Sequence, residues 1–210
     1  MEYSVVMSLT DLIPVALFTA AGVILMRDLY NKMSKGAFAL FAAGIIDVAC
    51  AGALKALYKL LYAAGICDFS PLSAMFFPVQ SIGFLLAGIG VLAMVVHKQG
   101  SAAAYAAVPP VFSGTIIFVA LMIAGAGMLN TVLCILAKKL RKPALIALFV
   151  LSFVCLLCMG YLSSRDFTRA SMNWIAEGVN ILGQGSFLLG VVLAHRSGLS
   201  ALRLRDCDAA

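Results

Sequence analysis

Charge is what this chain has least of. Asp, Glu, Lys and Arg make up 11% of its 210 residues, where a soluble domain carries about a quarter. A chain so poor in charge cannot cover a core of its own with polar surface, which excludes a free-standing soluble domain. Tryptophan occurs once and histidine twice. The two imidazoles, His97 and His195, end separate apolar runs and have no ligand spacing around them, so no metal centre is expected. No H-x-x-E-H, G-x-S-x-G or phosphate-loop pattern occurs, so no cofactor is expected and an enzymatic activity is left open as the less favoured reading. The six cysteines (Cys50, Cys67, Cys134, Cys155, Cys158 and Cys207) are scattered and form no disulfide framework. Cys155 and Cys158 do spell C-x-x-C. They lie in an apolar run with no Pro, Trp or His beside them, and read as core residues rather than a redox pair. No Lys or Arg precedes the first apolar run, so the charged start of a signal peptide is missing and the first span is expected to be retained. No organelle address is seen, and the expected location is a bacterial-type plasma (inner) membrane.

What the chain has in abundance is apolar surface: 63% hydrophobic residues and a mean hydropathy of +1.07. A bilayer removes the need for polar cover, and the length suffices for about six spans of ~20 residues. Six apolar segments separate, at roughly 9–30, 37–62, 72–96, 111–137, 144–162 and 172–195. Turn and breaker signals divide them: Thr10 or Asp11 as a first cap, Ser70 with Pro71, Pro109-Pro110, and Pro143 after KKLRK. The fold class is therefore all-α, a polytopic six-helix transmembrane bundle forming one domain over 1–210, with a short basic tail at 196–210.

The net charge of +6 sits in short loops and the tail, where it sets orientation; no nucleic-acid partner is expected. With strictly alternating spans, eight basic residues fall on the side of both termini (Lys59, Lys138, Lys139, Arg141, Lys142, Arg196, Arg203, Arg205). Six fall on the other (Arg27, Lys32, Lys35, Lys98, Arg165, Arg169). That slight excess points to cytoplasmic termini. A slide of 97 residues matches Met75 with Met172, Gly88 with Gly185 and Gln80 with Glu177, and a slide nearer 107 matches Lys32 with Lys139. A three-plus-three repeat with inverted halves is the corresponding expectation.

Function must be sought among polar residues inside the spans, because hydrocarbon penalises them. The sixth span carries Asn173, Glu177, Asn180 and Gln184, spaced four, three and four apart and so on one helical face. The second carries Asp47 and Lys55, the third Gln80 just after Pro78, the fourth Asn130. Depth along the helices places Asp47, Lys55, Gln80 and Asn130 in one seam, with Glu177, Asn180 and Gln184 in another that meets it at mid-membrane. Pro78 removes a hydrogen bond to the carbonyl of Ala74 and should kink the third helix. These seven residues are the candidate ligand-binding set. The leading expectation is a transport-type protein holding a small polar or cationic solute or an ion. The alternative is a membrane-embedded sensor or accessory subunit whose stripe packs against a partner helix or a second copy. A lipid-modifying enzyme using Asp47 and Glu177 as acid and base ranks third.

Overall fold

A computed structural model describes residues 4–96, 115–163 and 170–202. Outside these lie His97, Lys98, Pro109-Pro110, Arg165, Arg169, Arg203, Arg205 and Cys207. The described residues contain no strand, and six of their helical segments are long and apolar enough to cross a membrane. They are α1 (Val5–Lys32), α2 (Lys35–Ala63), α3 (Pro71–Val96), α4 (Thr115–Lys139), α5 (Pro143–Ser163) and α6 (Ala170–Arg196).

Local chemistry explains most of the boundaries. Helix α1 begins a turn earlier than Leu9, because Ser4 is its cap: its Oγ accepts from the Met7 N–H at 3.2 Å. Asp11, expected as a cap, makes no capping hydrogen bond and lies inside the span. Ser34 caps α2 in the same way through the Ala37 N–H. Ser70 makes no side-chain cap, and Pro71 starts α3 as expected. The helix is interrupted at Met75, one residue past the Ala74 carbonyl that Pro78 deprives of its donor. Helices α4 and α5 are joined by a three-residue turn with Arg141 at φ 55. After α6, Gly198 at φ 90 turns the chain into a short 3-10 segment. Lys32 holds that segment by donating to the carbonyls of Ser200 and Leu202, both at 2.8 Å.

The helices form a closed ring in the order α1 to α6, with α6 packed back onto α1. Their directions correct the alternation expected from sequence. Phe18 of α1 stacks on Phe187 of α6, and Asp28 near the end of α1 meets His195 near the end of α6 at 2.9 Å. Helices α1 and α6 are therefore parallel. Gly22 meets Ile45 and Gly52 meets Val15, so α1 and α2 are antiparallel. Gly83 meets Val48 and Gly90 meets Phe41, so α2 and α3 are antiparallel. Gly183 against Cys155 and Gly190 against Phe149 set α5 antiparallel to α6, and the tight turn sets α4 antiparallel to α5. Helices α1, α3, α4 and α6 thus run one way, α2 and α5 the other. The first and last described residues, Ser4 and Leu202, lie at opposite ends of the bundle. Sequence counting failed because it assumed that each apolar run reverses the last; α3 and α4 do not.

The same directions rule out inverted halves: α1–α3 and α4–α6 each run up, down, up. Their burial shares one register. Adding 108 takes Pro14, Phe18, Ala21, Gly22, Leu25, Asp28 and Leu29 of α1 onto Met122, Ala126, Leu129, Asn130, Leu133, Leu136 and Ala137 of α4, all of them buried. The same offset takes Ala37, Phe41 and Gly44 onto Leu145, Phe149 and Ser152, again all buried. For α3 and α6 the offset is 100, pairing Gly83 with Gly183, Gly90 with Gly190 and Val91 with Val191. The change of eight equals the extra length of α2, 29 residues against 21 in α5. Gly90 lies against the backbone and Cβ of Phe41, whereas Gly190 lies against the ring of Phe149. Each set of three helices thus runs up, down, up, and at the second offset Gln80 falls on Asn180.

Helix association in lipid has little hydrophobic transfer to draw on, so close packing must hold the ring. Small residues supply it. A side chain on Gly44 would meet the Ala87 nitrogen and the Gly83 oxygen at 2.4 Å, and one on Gly125 would meet the Phe84 backbone at 2.3 Å. Gly125 belongs to the AGAG stretch at 124–127.

Candidate functional site: a polar cavity in one half of the bundle

Six helices enclose a cavity of about 430 Å³. Its walls take residues 11–18 of α1, 48–59 of α2, 73–84 of α3, 122–130 of α4, 152–160 of α5 and 173–187 of α6. Every one of these stretches lies toward the end of the bundle where α1, α3, α4 and α6 begin. The cavity therefore occupies one half of the bundle's depth. Its floor is aromatic: the Phe18 and Phe84 rings meet edge to face at 5.8 Å, and Phe18 stacks on Phe187 at 5.9 Å. Beyond the floor, Leu25, Leu29, Val91, Leu133, Leu136 and Val191 are fully buried and fill the interior. Buried Asp28 and His195 join α1 to α6 at that packed end, so His195 is not the isolated imidazole its sequence context suggested.

The structure brings together six of the seven candidates. Lys55, Gln80, Asn130, Glu177, Asn180 and Gln184 all line the cavity, as does Asn173. The helix-six stripe faces inward as its spacing implied, and the two seams become one chamber. Ser73, Phe76 and Phe77, around the break in α3, line it too.

Asp47 is the exception. It is absent from the cavity wall, and its Cβ packs against Gly83 in the α2–α3 seam. Eight residues separate Asp47 from Lys55, a rotation that overshoots two full turns by roughly 80°. Equal spacing in fours drifts around a helix, and over two steps it turns Asp47 out of the chamber.

Two site residues escaped the sequence reading. Asp11 and Lys59 form an ion pair at the cavity, between the start of α1 and the end of α2. Each had a plausible local role, Asp11 as a cap and Lys59 reaching for headgroups. The available signal was their matching depth on consecutive antiparallel helices. The Glu177 carboxyl lies within side-chain hydrogen-bonding range of Asp11, and both lysines act on it electrostatically. The Lys55 ammonium sits over the Phe76 ring, 3.9 Å from its centroid.

Three buried oxygens in the chamber have no hydrogen-bond partner among the described residues: Asp11 Oδ1, Asn130 Oδ1 and Glu177 Oε1. The Asn130 oxygen is an acceptor, as are the two carboxyl oxygens when ionised. The Asn130 amide nitrogen is already committed, donating to the Ala126 carbonyl at 2.9 Å. Buried acceptors left unmet are costly in a low-dielectric interior. The arrangement is therefore complementary to a small molecule that carries N–H or O–H donors. Among the described residues, no group of three or more His, Cys, Asp and Glu converges to hold a metal ion. Cys155 is buried while Cys158 is exposed, so the C-x-x-C pair splits between interior and surface.

Set against known protein families, curated proteins and solved structures, the chain matches none of them.

Proposed function

We propose that this integral membrane protein is transport-type and binds a small polar or cationic solute in the half-depth cavity. The observation that carries the reading is the chamber itself: six helices converge their polar residues on one space, with three buried oxygens unpartnered among the described residues. A cavity reaching mid-membrane from one end and stopped by an aromatic floor is the form a protein has when its solute site faces one side. Two sets of three helices, each running up, down, up, supply two bodies that can rock against each other around such a site. The inward aim of the Glu177 stripe counts against a role as a docking face for a partner's helix.

The corrected helix directions also change the charge count. Arg27, Lys32, Lys35, Lys138, Lys139, Arg141, Lys142 and Arg196 all fall at the packed end, and Lys55 and Lys59 toward the cavity end, among the described residues. Eight against two is a strong bias under the positive-inside rule. We place the packed end in the cytoplasm of a bacterial-type plasma membrane, with the cavity in the outer half.

The test is thermal stability in mild detergent across a panel of amines and polar metabolites, with wild type beside Glu177→Gln. A solute that raises the wild-type Tm and leaves the variant's unchanged supports binding through Glu177. Uptake of that solute into vesicles, driven by an ion gradient and lost in the variant, supports transport. Absence of any stabilising solute, together with a less stable variant, would make the stripe a structural device.

A further inference from the structure

The charges in the chamber narrow the class of solute, on the assumption that the chamber binds one. Asp11 and Lys59 neutralise each other as an ion pair. Glu177 of α6, a second carboxyl beside Asp11, makes this part of the wall acidic beyond the pair, and Lys55 of α2 is the remaining cation on the wall. Neither is satisfied by the other. No carboxylate lies within 4.0 Å of the Lys55 nitrogen among the described residues, and that nitrogen rests on an aromatic face instead. Glu177 Oε1 is buried and unpartnered, in a residue only 7% exposed.

A simple cation would meet Glu177 but face an uncompensated ammonium within the same low-dielectric space. A simple anion would meet Lys55 and face a carboxylate. We infer that the cavity takes a zwitterion of the amino-acid type. Its carboxylate would lie against Lys55, and its ammonium would donate to Glu177 Oε1 and Asn130 Oδ1. An ammonium has three donors, which suits two unmet acceptors with one donor to spare. The phenylalanine floor offers an apolar surface for a hydrocarbon side chain, and 430 Å³ lies at the small end of ligand sites.

The experiment uses the full chain in mild detergent and three probes of one carbon skeleton: leucine, isopentylamine and 4-methylpentanoate. Glycine and phenylalanine, each with its own single-charge analogues, extend the series. The expected result is that at least one zwitterion raises the Tm, at concentrations ten-fold or more below those its amine-only or acid-only analogue requires. Lys55→Gln and Glu177→Gln should each abolish that advantage. If the amines act as well as the zwitterions and Lys55→Gln makes no difference, the zwitterion inference fails while the cavity remains a binding site for cations. If nothing in the series shifts the wild-type protein but another polar solute does, the inference also fails alone. If no solute of any kind shifts it, the inference and the binding reading fall together. The wild-type probe series decides the matter even where a variant does not fold.

Discussion

Replacing Gly44 with alanine tests whether helix packing through small residues holds this bundle. The added Cβ would stand 2.4 Å from the Ala87 nitrogen and from the Gly83 oxygen, and 2.9 Å from the Ala87 Cβ, where ordinary contact begins at 3.4 Å. The nearest obstacles are backbone atoms, so no rotamer change can relieve them, and α2 and α3 must part by about 1 Å. Overpacking of this kind costs about 1–3 kcal/mol, and the upper end applies where backbone must move. A 1 Å gap also forfeits up to roughly half the dispersion energy of each contact along the seam. Alanine returns about 0.5–1 kcal/mol through its better helix propensity. The net expectation is a loss of about 2 kcal/mol, roughly a thirty-fold drop in the ratio of folded to unfolded protein. The control lies on the same helix: at Gly36 an added Cβ meets nothing within 4 Å, so Gly36→Ala should be neutral or slightly stabilising. Reversible unfolding in mixed micelles, followed by circular dichroism, compares the three proteins. A Gly44→Ala protein within about 0.5 kcal/mol of wild type would refute the packing argument, as would equal damage from Gly36→Ala.

Two further outcomes follow from the architecture. Phe41→Ala and Phe149→Ala should destabilise the bundle by similar amounts, about 2–4 kcal/mol, because both side chains are fully buried at positions 108 apart; a difference beyond about 2 kcal/mol would undo the shared register. Reporter tags before Ser4 and after the C-terminal tail should report opposite sides of the membrane, the C-terminal one cytoplasmic; tags on the same side would contradict the parallel course of α1 and α6.

The class of this protein was legible from composition, because a chain with so few charges has no other solvent in which to fold. The number of spans was legible from the length of its apolar runs. Most of the cavity's polar lining was legible too: Asn173, Glu177, Asn180 and Gln184 had to share a face, and hydrocarbon outside the bundle left that face nowhere to point but inward. What sequence could not supply was direction and azimuth. Strict alternation is a counting rule with no physical compulsion behind it, and it placed both termini together. The contacts of Asp28 with His195 and of Phe18 with Phe187 set α1 and α6 parallel and sharpen the charge bias. Azimuth decided the fate of Asp47, since helical drift over eight residues is enough to move a side chain from a chamber into a seam. Asp11 and Lys59 lie 48 positions apart, and only the antiparallel packing of α1 on α2 brings their charges together. Periodicity along one helix is a local property that sequence carries in full. Which helix stands opposite, and at what rotation, is set by the fit of glycines against backbone and phenylalanines against glycines, and that fit exists only once all six helices are in place.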